Sequence, residues 1–261
     1  MLTIKDSVAV ITGGSGGIGL ALAQHWVENG GKVVLGDVAE EPLAAAAESL
    51  GENAAFMRCD VTSEADCGKL ADYAMETFGQ INMVAPFAGI IMDGLMLKTD
   101  RDTGKVTGKL SLEKFQKVID INLTGVFLTV RECAERMIDG GCRGLICLVS
   151  STGSLGTAGQ INYSSSKAAM SVMPKVITAE FFRRGIADRI RCVAIAPGYV
   201  GTPMVKGMNQ KALDKIIGEV PIGRLIEPSE VVSLAAELYR NEALAGDTFF
   251  IHGGLRLGSR G

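Results

Sequence analysis

Residues 8–19 read VAVITGGSGGIG, an unbroken apolar run that ends in five glycines within seven positions. An apolar run of this length, without polar alternation, suits a strand covered on both faces. The glycines allow a tight turn, let the backbone approach a ligand closely, and bring the next helix near the strand. The N-terminus of that helix then offers unpaired N–H groups and a positive dipole end to phosphates. Within the stretch, Gly14, Gly16 and Gly19 match G-x-G-x-x-G literally. The match gains weight from Asp37, which ends the next apolar run (KVVLGD) 18 positions beyond Gly19. A carboxylate there accepts hydrogen bonds from adenosine ribose hydroxyls. It also repels a 2′-phosphate, and neither Ser15 nor Val38 supplies a compensating cation, so the reading favours NAD over NADP.

The same alternation continues along the chain. Strands are expected at Ser7–Thr12, Lys32–Asp37, Ala54–Arg58, Met83–Phe87, Gly144–Ser150, Arg189–Ala196 and Thr248–Ile251. Helices are expected at Gly17–Asn29, Glu41–Leu50, Glu64–Phe78, Leu112–Ile138, Tyr163–Arg183 and Pro228–Asn241. Regular β-α alternation predicts an α/β fold: one Rossmann-like, doubly wound parallel sheet with helices on both faces. No compositional shift or linker divides residues 1–261, so a single domain is expected. Two segments interrupt the pattern. Residues 93–111 are polar and glycine-containing and read as a surface loop with a small hairpin about Asp102–Gly104, its lysines serving solvation. Residues 199–223 follow a Pro-Gly at a strand's end, where α/β enzymes keep substrate loops.

Composition narrows the class. Net charge is −3 with no basic run, which argues against nucleic acid or an anionic membrane as partner. Two uncharged stretches, 7–27 and 144–166, carry glycines in the first and Ser, Thr, Asn and Gln in the second, so neither suits lipid. Lys5-Asp6 stands where a leader would need an apolar core, so no signal peptide is expected. Six cysteines without C-x-x-C, and only His25 and His252, give no zinc spacing and no expected metal. Reduced cysteines of a cytoplasmic protein are the expectation.

Chemistry is carried by Tyr163-Ser-Ser-Ser-Lys167. A phenol and an ammonium at i, i+4 share one helical face, and a fixed cation stabilises a phenolate. Ser150 ends an apolar strand thirteen residues earlier, which puts it at the carboxyl edge where open α/β sheets bind ligands.

This combination resembles the classical short-chain dehydrogenases/reductases from about residue 5 to residue 254. TGGSGGIG is similar to their T-G-x-x-x-G-x-G, and so implies cofactor contacts at Gly13, Ser15, Gly16, Gly17, Ile18 and Gly19. Asp60-Val61 resembles their adenine-contacting pair, with Asp37-Val38 before it. Asn122 in DINLTGVF resembles their catalytic Asn, and Ser150, Tyr163 and Lys167 match the rest of the tetrad. Pro197-Gly198, Val200 and Thr202-Pro203-Met204 are similar to PG-x-x-x-TPM, whose Thr contacts the nicotinamide carboxamide. Ala88 and Gly89 stand in the family's N-N-A-G, where Phe87 replaces the sheet-bracing Asn; altered local bracing is expected there, not lost binding.

The resemblance implies that residues 1–90 mainly bind cofactor and residues 112–261 carry catalysis. Tyr163 would exchange a proton with the substrate oxygen, and Ser150 would hold that oxygen. Lys167 would lower the Tyr163 pKa and grip the nicotinamide ribose. Asn122 would hold a relay water, with a local break in its helix. The implied activity is NAD(H)-dependent interconversion of a secondary alcohol and a ketone, including a 3-hydroxyacyl thioester, by a homotetramer. A hydroxysteroid or cyclic-alcohol dehydrogenase is the alternative, and Phe87 leaves open a weakly active NAD-binding subunit of a larger assembly.

Overall fold

The computed structural model describes residues 1–255; residues 256–261 of the expected domain lie outside the described residues. Seven strands form one sheet: β1 (Val8–Thr12), β2 (Lys32–Asp37), β3 (Ala54–Arg58), β4 (Met83–Pro86), β7 (Gly144–Val149), β8 (Ile190–Pro197) and β9 (Thr248–Ile251). A separate two-stranded hairpin, β5 (Leu97–Thr99) and β6 (Val106–Lys109), lies between β4 and β7 in the chain. The sheet order is β3-β2-β1-β4-β7-β8-β9, and every pairing in it is parallel. The order reverses between β1 and β4, which opens a crevice at the strands' carboxyl ends.

The strands alternate between two cores, as both-face burial requires. From β1, Ala9 and Ile11 enter the core shared with α1 (Gly17–Glu28), α2 (Glu40–Leu50) and α9 (Pro228–Arg240), among Leu22, Trp26, Leu43 and Tyr239. Val8 and Val10 enter the opposite core, with α3 (Glu64–Phe78), α5 (Gly125–Asp139) and α6 (Ile161–Arg183), among Leu70, Val126, Cys133 and Met170. Local chemistry sets the helix ends. Ser63 accepts from Asp66 N at 3.2 Å to cap α3, which stops at Gly79 in a left-handed conformation, φ +77°.

The expected helix 112–138 is two helices, α4 (Leu112–Ile119) and α5, joined through a π-turn over Asp120–Thr124 in which Gly125 N–H donates to Asp120 O. This is the local break expected at Asn122. Residues 93–111 form the hairpin, whose turn is tied by Asp100 Oδ1 accepting from Asp102 N, Thr103 N and Thr103 Oγ1. Residues 199–223 are more ordered than a loop: they hold α7 (Pro203–Lys206) and α8 (Gln210–Gly218). Among the described residues no helix is long and apolar enough to cross a membrane.

Candidate active site

The turn after β1 is built around missing side chains. Gly13 takes φ +70°, and a Cβ on it would sit 2.8 Å from Ala88 N. A Cβ on Gly19 would lie 2.2 Å from Gly13 O, so β1, the start of α1 and the end of β4 close onto one another only without these side chains. Gly16 caps α1 without any side-chain hydrogen bond, and the space beside its Cα is open. These residues wall one end of a cavity of about 680 Å³, together with Ser15, Gly17 and Ile18.

Asp37 and Val38 line the cavity beside the glycine turn. Asp37 Oδ2 accepts from Ser15 Oγ at 2.6 Å and Ser15 N at 3.3 Å, which ties the glycine turn to the end of β2. Asp60 Oδ1 accepts from Thr62 N and Oγ1, and these donors hold its carboxyl below the usual range. Val61 packs onto the first residue of α5, where a Cβ on Gly125 would come within 2.7 Å of Val61 Cγ2. The outline fits a dinucleotide: backbone N–H groups for phosphates at one end, a carboxylate for a ribose at Asp37, apolar walls between.

At Phe87 the junction between β1 and β4 is held without a side-chain amide. Phe87 N donates to Thr12 O at 3.1 Å and Ala88 N to Thr12 Oγ1 at 3.4 Å, so the β1–β4 junction is held by main chain and a threonine. The Phe87 ring packs on the α1-side core and also lines the cavity.

The reactive end collects Ala88, Gly89, Tyr163, Lys167 and Thr202 in the same cavity. Tyr163 and Lys167 stand one turn apart on α6, with Lys167 Nζ 5.7 Å from the Tyr163 ring centre. Nζ donates to Val149 O at 2.9 Å, and burial brings its pKa down to about 8. Burial pushes the Tyr163 phenol up, and Asp93 adds to the rise. The group that opposes this rise is Ser151.

Asn122 is fully buried and paired twice with one residue, Nδ2 donating to Ile90 O at 2.9 Å and Oδ1 accepting from Ile90 N at 2.8 Å. Gly89 lies close to both groups: a Cβ there would be 3.3 Å from Asn122 Oδ1, a tight contact, and 3.9 Å from Lys167 Nζ. The side chain of Asn122 thus fixes the chain after β4 over the ammonium.

Ser150, expected at the reactive end, is placed apart from the residues that line the cavity. Ser150 is buried at 1% exposure, its Oγ donating to Lys167 O at 2.7 Å and sharing a hydrogen bond with Ser171 Oγ at 2.8 Å. Both contacts hold it against α6, away from the cavity. Its neighbour Ser151 points the other way, because successive side chains alternate at a strand's end. Ser151 Oγ accepts from Gly153 N at 3.0 Å, and Ser151 is the group that opposes the rise of the Tyr163 phenol. Neither serine lines the cavity, and Ser151, which was not expected at the site, shares the Gly153 neighbourhood with the Tyr163 ring. The signal available in sequence was the doubled Ser150-Ser151 itself.

Three expected cofactor positions do not line the cavity. Gly198 N donates to Ile251 O at 2.9 Å and a Cβ there would meet His252 at 3.0 Å; Val200 is buried and bridges to Ile226. With Pro197 at the end of β8, they fasten the strand's exit and carry Thr202 and Pro203 into the cavity. Conversely, Cys59, Ile90, Ile91, Ile121 and Val149 line it without having been expected. They are ordinary apolar residues whose only signal was adjacency to the motifs.

The comparisons agree with this architecture. Residues 7–213 match the family model for short chain dehydrogenase. An uncharacterized oxidoreductase of Mycobacterium bovis is 38% identical over 237 residues, covering 90% of each chain. The human 3-hydroxyacyl-CoA dehydrogenase type-2 is 33% identical over 262 residues, covering 98% of this chain and 97% of its own. A short-chain dehydrogenase/reductase structure from Brucella melitensis superposes with a TM-score of 0.84 at 29% identity, covering 97% and 98%. The chain belongs to the short-chain dehydrogenase/reductase family, a family of oxidoreductases.

Proposed function

We propose that the protein is an NAD(H)-dependent dehydrogenase interconverting a secondary alcohol and a ketone, with 3-hydroxyacyl thioesters as the favoured substrates. The observation that carries this reading is the run of one cavity from the glycine turn at Gly13–Gly19 to the paired Tyr163 and Lys167. A bound nicotinamide dinucleotide would accept or supply the hydride at that end. Tyr163 takes the proton of the substrate hydroxyl or returns it to the carbonyl oxygen, and Ser151 donates a hydrogen bond to the same oxygen. Donors aimed at an oxygen that gains negative charge stabilise the transition state more than the ground state. Lys167 holds the cofactor ribose, and Asn122 keeps the chain over Lys167 fixed. The similarity to a 3-hydroxyacyl-CoA dehydrogenase supports the thioester class.

Asp37 supports NAD, since a 2′-phosphate placed beside its carboxylate would be repelled and Ser15, its partner, brings no charge. Exposed Val172, Val176 and Phe182 on α6 and Phe127 on α5 support a homo-oligomer, to be checked by sedimentation. The direct test is absorbance at 340 nm with NAD or NADP across acyclic, cyclic, steroid and 3-hydroxyacyl-thioester alcohols. Reduction of NAD that vanishes in Tyr163→Phe supports the reading. Dinucleotide binding without turnover of any alcohol refutes it.

A further inference from the structure

Asn162 is fully buried, beside Tyr163 in the first turn of α6. Every hydrogen-bonding group of its amide is used. Nδ2 donates to Met92 O at 3.0 Å, in the segment after β4, and to Lys114 O at 3.3 Å, in the first turn of α4. Oδ1 accepts from Tyr163 N at 2.8 Å. Tyr163 is the third residue of α6, where a main-chain N–H has no helical carbonyl one turn back. One buried side chain thus joins the main chain of Tyr163 to two elements far from it in sequence.

The helix α6 fixes Tyr163 and Lys167 relative to each other, one turn apart. It does not fix them relative to the chain leaving β4, which walls the cavity with Ala88, Gly89, Ile90 and Ile91. That wall is held at both ends by buried asparagines: Asn122 exchanges two hydrogen bonds with Ile90, and Asn162 holds Met92. The Asn122 end lies near Lys167, since a Cβ on Gly89 would be 3.9 Å from its Nζ. The Asn162 end is bonded to Tyr163. Farther out, Asp93 Oδ2 accepts from Gln160 Nε2 at 3.0 Å and Gly94 N donates to Gly159 O at 2.8 Å. Asp93 is exposed, so water competes for its bond, whereas the amide of Asn162 is closed to water.

We infer that Asn162 is a positioning residue, whose amide sets the main chain of Tyr163 at a fixed place against the cavity wall at Ile90–Met92. The inference rests on the proposed dehydrogenase reading, in which the phenol so placed exchanges the proton. Asn162 does not itself line the cavity, so its loss acts through Tyr163. A reacting group misplaced by about 1 Å costs about a hundredfold in rate.

The test compares Asn162→Ala with Asn82→Ala, which removes a similar bridge at the amino ends of β1, β4 and β7, away from the cavity. There Asn82 Oδ1 accepts from Val8 N at 2.9 Å and Nδ2 donates to Arg143 O at 3.0 Å. Secondary-alcohol oxidation with NAD is measured beside hydrogen exchange of the Tyr163 amide. Asn162→Ala should lower kcat by about ten- to a hundredfold and leave the KM for NAD within about twofold. Exchange at Tyr163 should quicken by at least about tenfold. Asn82→Ala should keep kcat within about twofold of native, because its site is remote from Tyr163. If Asn162→Ala does not fold, Asn162→Ser replaces it, since the shorter hydroxyl cannot span to Met92 O and Lys114 O. Native kcat in the Asn162 variant overturns the inference, as does an equal loss in both variants. A loss carried by the KM for NAD, or unchanged exchange at Tyr163, overturns it too. If the native protein oxidises no alcohol, the dehydrogenase reading fails by itself, and exchange at Tyr163 alone decides whether Asn162 places that residue.

Discussion

Asn122 and Ile90 exchange two hydrogen bonds, amide side chain to main chain, in a pairing that locks the π-turn between α4 and α5 to the segment after β4. π-turns cost helical hydrogen-bond geometry and tend to be kept where a side chain must be aimed. Here the aim is to hold Gly89 and Ile90 over Lys167. Asn122→Ala removes the side-chain partner of the partly buried N–H and C=O of Ile90. The expected loss is about 2–3 kcal/mol in unfolding free energy, read from urea midpoints. A fall in kcat should accompany it, since the chain over the ammonium loosens. Unchanged stability would show that Ile90 finds other partners.

The two serines should separate in kinetics. Ser151→Ala removes the hydroxyl beside the Tyr163 phenol and should lower kcat/KM by about a hundredfold, the scale of one lost transition-state donor. Ser150→Ala removes a buried hydrogen bond to Lys167 O and should cost about 1 kcal/mol of stability with a much smaller kinetic effect. The reverse ranking would return the catalytic role to Ser150.

Asp37→Ala should shift the coenzyme preference. It removes the carboxylate that would repel a 2′-phosphate and the acceptor that fixes Ser15. The kcat/KM ratio of NAD to NADP should fall by at least about tenfold, with NAD losing a hydrogen-bond acceptor and NADP losing a repulsion. An unchanged ratio would refute the role given to Asp37.

Lys167 carries a stability cost that depends on pH. Its pKa in the folded protein, about 8, lies below the usual 10.5, so between these values the unfolded chain holds a proton that the folded chain has released. Stability gained from this group therefore rises as pH increases through that window, and the full cost applies below pH 8. Lys167→Met removes the cost and also the hydrogen bond to Val149 O. The net expectation is a gain of about 1–2 kcal/mol at pH 7 that disappears by about pH 10.5, with activity abolished. Urea midpoints at the two pH values check it; a variant less stable at pH 7 would sink the prediction.

Much of this was open to reading in the chain. The apolar runs of β1, β2, β7 and β8 could be nothing but buried strands, because every one of their residues must face a core. Gly13 and Gly19 were legible for the same kind of reason: close backbone approach leaves no alternative residue. Asp37, Tyr163 and Lys167 sit at fixed offsets on regular elements, so their spacing carried their direction. Where the backbone leaves regular geometry, spacing stops carrying direction. Ser150 and Ser151 follow the last residue of β7, and a single step along the chain decides which hydroxyl meets Tyr163. Pro197 ends β8, Gly198 and Val200 follow it, and contacts with β9 and Ile226 turn them from the cavity.

The pKa balance at Tyr163 and Lys167 was likewise out of reach, because desolvation depends on everything packed around a group and no motif encodes it. The sequence by itself determined the doubly wound sheet, the dinucleotide cradle and the Tyr163–Lys167 pair, since local periodicity and fixed spacing suffice for each. The tertiary structure alone decided that the Ser150 hydroxyl is bonded to α6 and how burial sets both pKa values. Those depend on the direction and surroundings of side chains brought together from distant parts of the chain.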